Sequence, residues 1–116
     1  DLEPGVRRAI ARLLEPEGLE VTQAGGAAEA RAAWTAAEFD LLVTDLNMGG
    51  GADGLTLLAE FLRLRPAAAA ILVSGSADPG EVQRGRALGA SFLEKPFEAD
   101  SLRAAVRAAL ARRPAG

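Results

Sequence analysis

Three residues in this chain combine reactive chemistry with a telling position: Asp45, Ser74 and Lys95. Each follows a short run that reads as a strand. Leu41-Leu42-Val43-Thr44 precedes Asp45, Ala70-Ile71-Leu72-Val73 precedes Ser74, and Ser91-Phe92-Leu93-Glu94 leads into Lys95. Unbroken apolar runs suit parallel strands covered on both faces, and open α/β sheets carry their working groups just past the carboxyl ends of such strands. Parallel strands bring those ends to one edge, so a carboxylate, a hydroxyl and an ammonium are expected to converge on one rim. Taken singly, each residue has an ordinary reading: Asp45 caps a loop, Ser74 is a turn hydroxyl and Lys95 is a solvated lysine. The ordered set favours chemistry. Beside Lys95, Asp45 is expected to stay ionised, and an ionised carboxylate can act as a nucleophile. A phosphoryl group suits it, because phosphoryl transfer asks a protein mainly for positioning and for charge neutralisation by Lys and Mg²⁺. Oxygens from Asp45, Asp1 and a loop carbonyl are the donor type Mg²⁺ prefers.

Composition narrows the classes. The 116 residues are enough for one domain with a core, and the expected division is residues 1–113 as that domain with 114–116 as a tail or linker. Hydrophobic residues make up 49% of the chain, but no run approaches the roughly 20 apolar residues of a membrane span. No signal-peptide pattern is present, so a soluble cytoplasmic chain is expected. With no cysteine and no histidine, disulfides, thiolate zinc sites and the commonest general base are excluded. The net charge of −3 argues against direct nucleic-acid binding.

The elements that must position the three residues can be read in order. Val6, Ile10, Leu13 and Leu14 form one face of a helix from Pro4 to about Glu15, closed by Gly18. Leu19 to Ala24 alternates apolar and polar, as a half-buried or edge strand would. An alanine-rich helix from Ala27 to about Ala37 has Trp34 as its anchor, followed by the strand 41–45. Leu55, Leu58, Ala59 and Leu62 mark a helix from about Gly54 to Arg65, stopped by Pro66, before the strand 70–74. Asp78-Pro79-Gly80-Glu81 is a helix start, but that helix has only Val82 and Leu88 as large apolar residues, so it is expected to be weakly packed and able to shift. The strand 91–94 and a helix from about Ala99 to Arg112 complete the chain. The alternation, (β)αβαβαβαβα, predicts an α/β fold with a doubly wound parallel sheet.

Together, DLEPGVRR at the start, LLVTDLNM (41–48), ILVSG (71–75) and ALGASFLEKPF (87–97) resemble a bacterial two-component response regulator receiver domain, similar to the chemotaxis response regulators. The resemblance covers essentially the whole chain. It implies a flavodoxin-like sheet of strand order 2-1-3-4-5, with the first, central strand ahead of Asp1. It implies that Asp45 accepts a phosphoryl group from a partner histidine kinase or phosphotransfer domain. Lys95 and Ser74 would then bind the phosphoryl oxygens, and Phe92 would be the rotating switch aromatic. Asp1, Asp45 and the Asn47 backbone carbonyl would hold Mg²⁺. The Lys95–Pro96 bond is commonly cis in this family. A downstream effector protein or domain is the implied partner, with a homodimer among the assemblies allowed and no membrane contact.

The chain also departs from that pattern. Receivers carry two adjacent acids where this chain has Asp1-Leu2, which predicts weakened Mg²⁺ binding. Gly49-Gly50-Gly51 stand in the loop after Asp45, where the family tends to have proline. These glycines lack a P-loop lysine pattern and do not predict a nucleotide site. Three functions follow: a phosphorylated switch that is not an enzyme beyond weak self-phosphorylation and self-dephosphorylation, a degenerate receiver that binds a partner without phosphorylation, or a small-molecule binder or enzyme using the same rim.

Overall fold

A computed structural model describes residues 4–24, 27–46, 54–75, 79–95 and 97–111. The elements run α1 (Pro4–Leu14), a single 3₁₀ turn (Glu15–Glu17), α2 (Ala27–Ala36), β1 (Leu41–Asp45), α3 (Gly54–Leu64), β2 (Ala69–Ser74), α4 (Pro79–Ala87), β3 (Ser91–Glu94) and α5 (Ala99–Ala111). The three strands form a parallel sheet of order β1-β2-β3, with Asp45 opposite Val73 and Ser74 opposite Glu94. Helical crossovers thus put every strand's carboxyl end on one edge, as the alternating pattern predicts.

The central strand explains why its sequence is unbroken. All six residues of β2 are buried, because helices cover both of its faces and strands flank both of its edges. On one face Ile71 and Val73 meet Ile10 and Leu14 of α1 and Leu102 and Val106 of α5. On the other, Ala70 and Leu72 meet Leu58 of α3, together with Leu46 and Ala90. A third cluster joins Trp34 of α2 to Leu57 and Phe61 of α3, with the two aromatic rings 5.4 Å apart and tilted by 49°. Trp34 is the buried anchor its size predicts. Stripes recurring every three or four residues on α1, α3 and α5 supply these contacts.

One expectation is corrected. Leu19 to Ala24 forms no strand, although Leu19 and Val21 pack against the α1 and α5 core as their alternation requires. Alternation fixes which side chains turn inward, but a strand also needs a ladder partner about 4.8 Å away. Here a cleft of about 670 Å³ separates residues 19–24 from Leu41–Thr44 of β1. Among the described residues β1 pairs with β2 alone, which leaves its outer edge facing the cleft and its first three residues only half-buried.

Helices α2 and α3 are tied by a fork of two bonds. Arg31 Nε and Nη2 donate to the Glu60 carboxylate at 2.7 and 2.9 Å. Those hydrogen bonds, with the charge behind them, hold the Glu60 carboxyl below the usual range. A carboxyl whose pKa is lower in the folded than in the unfolded chain stabilises the fold above its unfolded pKa. That contribution is lost as pH falls through the lower folded value. Urea unfolding is therefore expected to show an acid limb starting near the ordinary carboxylate pKa of about 4.3 and continuing below it. The Glu60→Gln variant is expected to have a shallower limb, and equal slopes would remove the pair from the acid response.

Candidate functional site

The rim is built by extending the ladder one residue past the strand ends. Leu46 N–H donates to the Val73 carbonyl at 2.9 Å, and Lys95 N–H donates to the Ser74 carbonyl at 2.8 Å. Asp45, Ser74 and Lys95 are therefore held to the sheet by backbone bonds, although Lys95 lies one residue beyond its strand. Lys95 Nζ reaches Asp45 Oδ2 at 2.8 Å. Asp45 stands on β1 and Lys95 follows β3, so the ion pair crosses the end of β2 and spans two strand spacings, about 9–10 Å of sheet. Only a long side chain can close that gap. The Asp45 side chain is 13% exposed and that of Lys95 38% exposed, so the pair is partly open to solvent.

Strand alternation adds a division that the linear order does not show. Val43 and Leu93 pack into the core between the sheet and α1 and α5. Asp45 and Lys95, each two residues further along, belong to that same face. Leu72 and Phe92 pack on the α3 face, and Ser74 belongs with them. The buried Ser74 hydroxyl thus approaches the rim from the opposite side of the sheet to the ion pair. Phe92 lies below the rim, half-buried and opposite Leu72, with its ring against α4. Asp1, Asn47, the glycines 49–51 and Pro96 lie outside the described residues. Among the described residues no group of three acidic, histidine or cysteine side chains could hold a metal ion, and Asp45 is the carboxylate paired with Lys95 at the rim.

Two glycines that shape the site were not singled out by the sequence reading. Gly54, the first residue of α3, donates its N–H to the Leu46 carbonyl at 2.8 Å. A Cβ at this position would stand 2.1 Å from the Asp45 carbonyl oxygen, so α3 presses directly on the backbone that carries the acceptor candidate. Glycine is the residue for such a close approach. Its signal in the sequence, the end of Ala52-Asp53-Gly54, reads equally well as an ordinary turn. The second glycine is Gly85, inside α4, where an interior helix glycine is the available clue.

Known proteins share this architecture. Residues 1–107 match the family described as "Response regulator receiver domain". The chain is 40% identical over 113 residues to the transcriptional regulatory protein FixJ of Azorhizobium caulinodans, covering 97% of this chain and 53% of that protein. It is 35% identical over 114 residues to the C4-dicarboxylate transport transcriptional regulatory protein DctD of Rhizobium meliloti, covering 97% and 25% of the two chains. The chain thus spans about half the length, or less, of these curated relatives. Among solved structures, the receiver domain of NtrX from Brucella abortus superposes with a TM-score of 0.85 at 32% identity, covering 95% of this chain and 93% of that one. A CheY-like receiver domain protein from Methanospirillum hungatei gives a TM-score of 0.86 at 26% identity, over 94% and 87%. No helix among the described residues is long and apolar enough to cross a membrane. With a parallel flavodoxin-like sheet, an aspartate and a lysine paired at its carboxyl edge, and a family match over nearly its whole length, this chain belongs to the response regulator receiver domains of two-component systems.

Proposed function

We propose that this domain is a phosphoacceptor switch: Asp45 takes a phosphoryl group from a partner histidine kinase or phosphotransfer domain, and the new charge alters the surface offered to an effector. The observation that carries this reading is the 2.8 Å contact between Lys95 Nζ and Asp45 Oδ2 at the open rim. The carboxylate is the nucleophile. Its oxygen forms the new bond to phosphorus, and the leaving group departs from the opposite side with the electrons of the broken bond. Lys95, within bonding distance of the acceptor, offsets charge on the phosphoryl oxygens, and the Ser74 hydroxyl approaches from the other face to donate a hydrogen bond. Mg²⁺ would be held by Asp45 with Asp1 and the Asn47 carbonyl, and when bound it would supply further charge neutralisation.

Incubation with Mg²⁺ and a small phosphodonor, followed by intact mass measurement, is expected to show one added phosphoryl group. Chelation of the metal is expected to prevent it. No adduct at any metal concentration would favour a partner-binding module that works without phosphorylation, the reading that Leu2 beside Asp1 supports.

The lysine separates function from packing. A surface pair with one partner more than a third exposed contributes about 1 kcal/mol or less to stability. Loss of a preorganised charge at a transferring group costs roughly a hundredfold in rate. Lys95→Met is therefore expected to leave urea unfolding nearly unchanged while slowing adduct formation roughly a hundredfold. Equal rates for the two proteins would remove Lys95 from the chemistry.

A further inference from the structure

Helices α3 and α4 return from consecutive parallel strands to the same face of the sheet, so they run side by side in one direction. Between them lies a groove of about 440 Å³. Its walls follow from helix periodicity. Leu55, Ala59 and Arg63 recur every four residues and form one ridge of α3. Arg84 and Leu88 form the facing ridge on α4, where Leu88 N–H donates to the Arg84 carbonyl at 3.1 Å and so extends the last helical turn. The groove stays open because α4 has little to fill it. The buried residue of α4 is Gly85, where a Cβ would stand 2.7 Å from Cε2 and Cζ of Phe92. Leu88 is 40% exposed and packs into none of the three core clusters. A single exposed leucine is ordinary, but Leu88 faces the half-buried Leu55 and Ala59 across the groove, and the three together make an apolar floor.

The charges on the walls select the occupant. Glu60, the acid of the groove, is already engaged from outside it, since Arg31 of α2 holds both of its oxygens at 2.7 and 2.9 Å. Arg63 acts on Glu60 through charge alone. Among the described residues neither Arg63 nor Arg84 forms an ion pair, and both are exposed. Two guanidinium groups therefore border an apolar floor on a chain whose net charge is −3. Guanidinium is the cation best matched to a carboxylate. We propose that the α3–α4 groove docks an acidic amphipathic helix of a partner protein. Leucine-type residues of that helix cover Leu55, Ala59 and Leu88, and its carboxylates meet Arg63 and Arg84. A helix fits because the two ridges share a four-residue period and one direction, and a third ridge of the same period lies between them at the usual interaxial distance of about 8–10 Å. A small anion would use the arginines and leave the leucines wet. A neutral helix would cover the leucines and strip water from two unpaired charges. The site uses neither Asp45 nor Lys95 and stands apart from the phosphoacceptor reading.

The test presents the whole chain to a displayed library of helical peptides, with leucine fixed along one face and Glu, Gln or Lys varied at the flanking positions. Selection is expected to enrich Glu at those flanks. Binding of an enriched peptide, read by fluorescence anisotropy, is expected to weaken about tenfold or more in the Arg63→Glu, Arg84→Glu double variant and about fivefold in Leu88→Ser. Raising salt from about 0.1 M to about 0.5 M is expected to weaken binding to wild type much more than to the double variant. Amide shifts on binding are expected to cluster in residues 55–63 and 84–88. Urea unfolding checks the fold of each variant, and Arg84→Gln, which removes a charge without reversing it, serves if the double variant does not fold. Recovery of no peptide, enrichment of Gln or Lys, equal affinity for wild type and variants, or shifts centred elsewhere would each overturn the proposal. An enriched peptide that binds as tightly after its leucines are changed to serine would reduce the groove to an anion site and overturn it too.

Discussion

The Asp45→Asn variant is expected to take up no phosphoryl group under conditions that load the wild-type chain fully. The amide keeps the shape of the carboxylate, so packing at the end of β1 is retained. It lacks the nucleophilic anionic oxygen that would form the bond to phosphorus. The fold is expected to survive the change. Asp45 contributes only one partner of a half-open ion pair, and the unfolding free energy is expected to fall by about 1 kcal/mol or less. Intact mass and a urea titration on the same sample check both halves of this expectation. An adduct on the asparagine variant would place the acceptor elsewhere among the chain's acids. An unfolded variant would show instead that the pair is chiefly structural.

Gly54→Ala is expected to be the more damaging change to the fold, although it adds one methyl group. That methyl would lie 2.1 Å from the Asp45 carbonyl oxygen, and backbone cannot swing aside as a side chain can. The surrounding bonds leave little slack: Leu46 donates to the Val73 carbonyl and Gly54 donates to the Leu46 carbonyl. Alanine gains little in helix propensity here, because position 54 opens the helix and does not lie within it. Overpacking commonly costs 1–3 kcal/mol, and a collision with the Asp45–Leu46 backbone, which cannot rotate away, belongs at about 3 kcal/mol or more. The unfolding midpoint in urea should drop accordingly. In whatever fraction stays folded, adduct formation should also slow, since α3 can make room only by displacing Asp45, the proposed acceptor. An unchanged midpoint would mean that α3 and β1 separate more freely than their contact indicates.

These two variants mark the boundary between what is written in the order of residues and what is written in their packing. Asp45, Ser74 and Lys95 were legible because each ends a strand-like run, and parallel strands joined by helices must place such ends on one edge. The helix stripes of α1, α3 and α5 and the unbroken run in β2 were legible for a similar reason, since their periods follow from which faces are buried. The segment 19–24 shows where this logic stops. Its alternation truly reports that Leu19 and Val21 face the core, but whether a neighbour lies within ladder distance is a property of three dimensions. The same holds for the division of the rim, with Asp45 and Lys95 on one face and Ser74 on the other. It holds for the pairing of Lys95 with Asp45 across the end of an intervening strand as well.

The glycines make the point most sharply. A glycine in a sequence announces only freedom, and freedom serves turns, caps and close approaches alike. By itself the sequence determined the order of the helices and of β1 to β3, and the sheet edge at which Asp45, Ser74 and Lys95 come together. Tertiary structure alone decided that Gly54 presses α3 onto the backbone of Asp45 and that Gly85 admits the ring of Phe92. The physical reason is that periodicity and residue type record how a chain divides between core and solvent. Contacts measured in tenths of an ångström depend on which elements the folded chain happens to bring together.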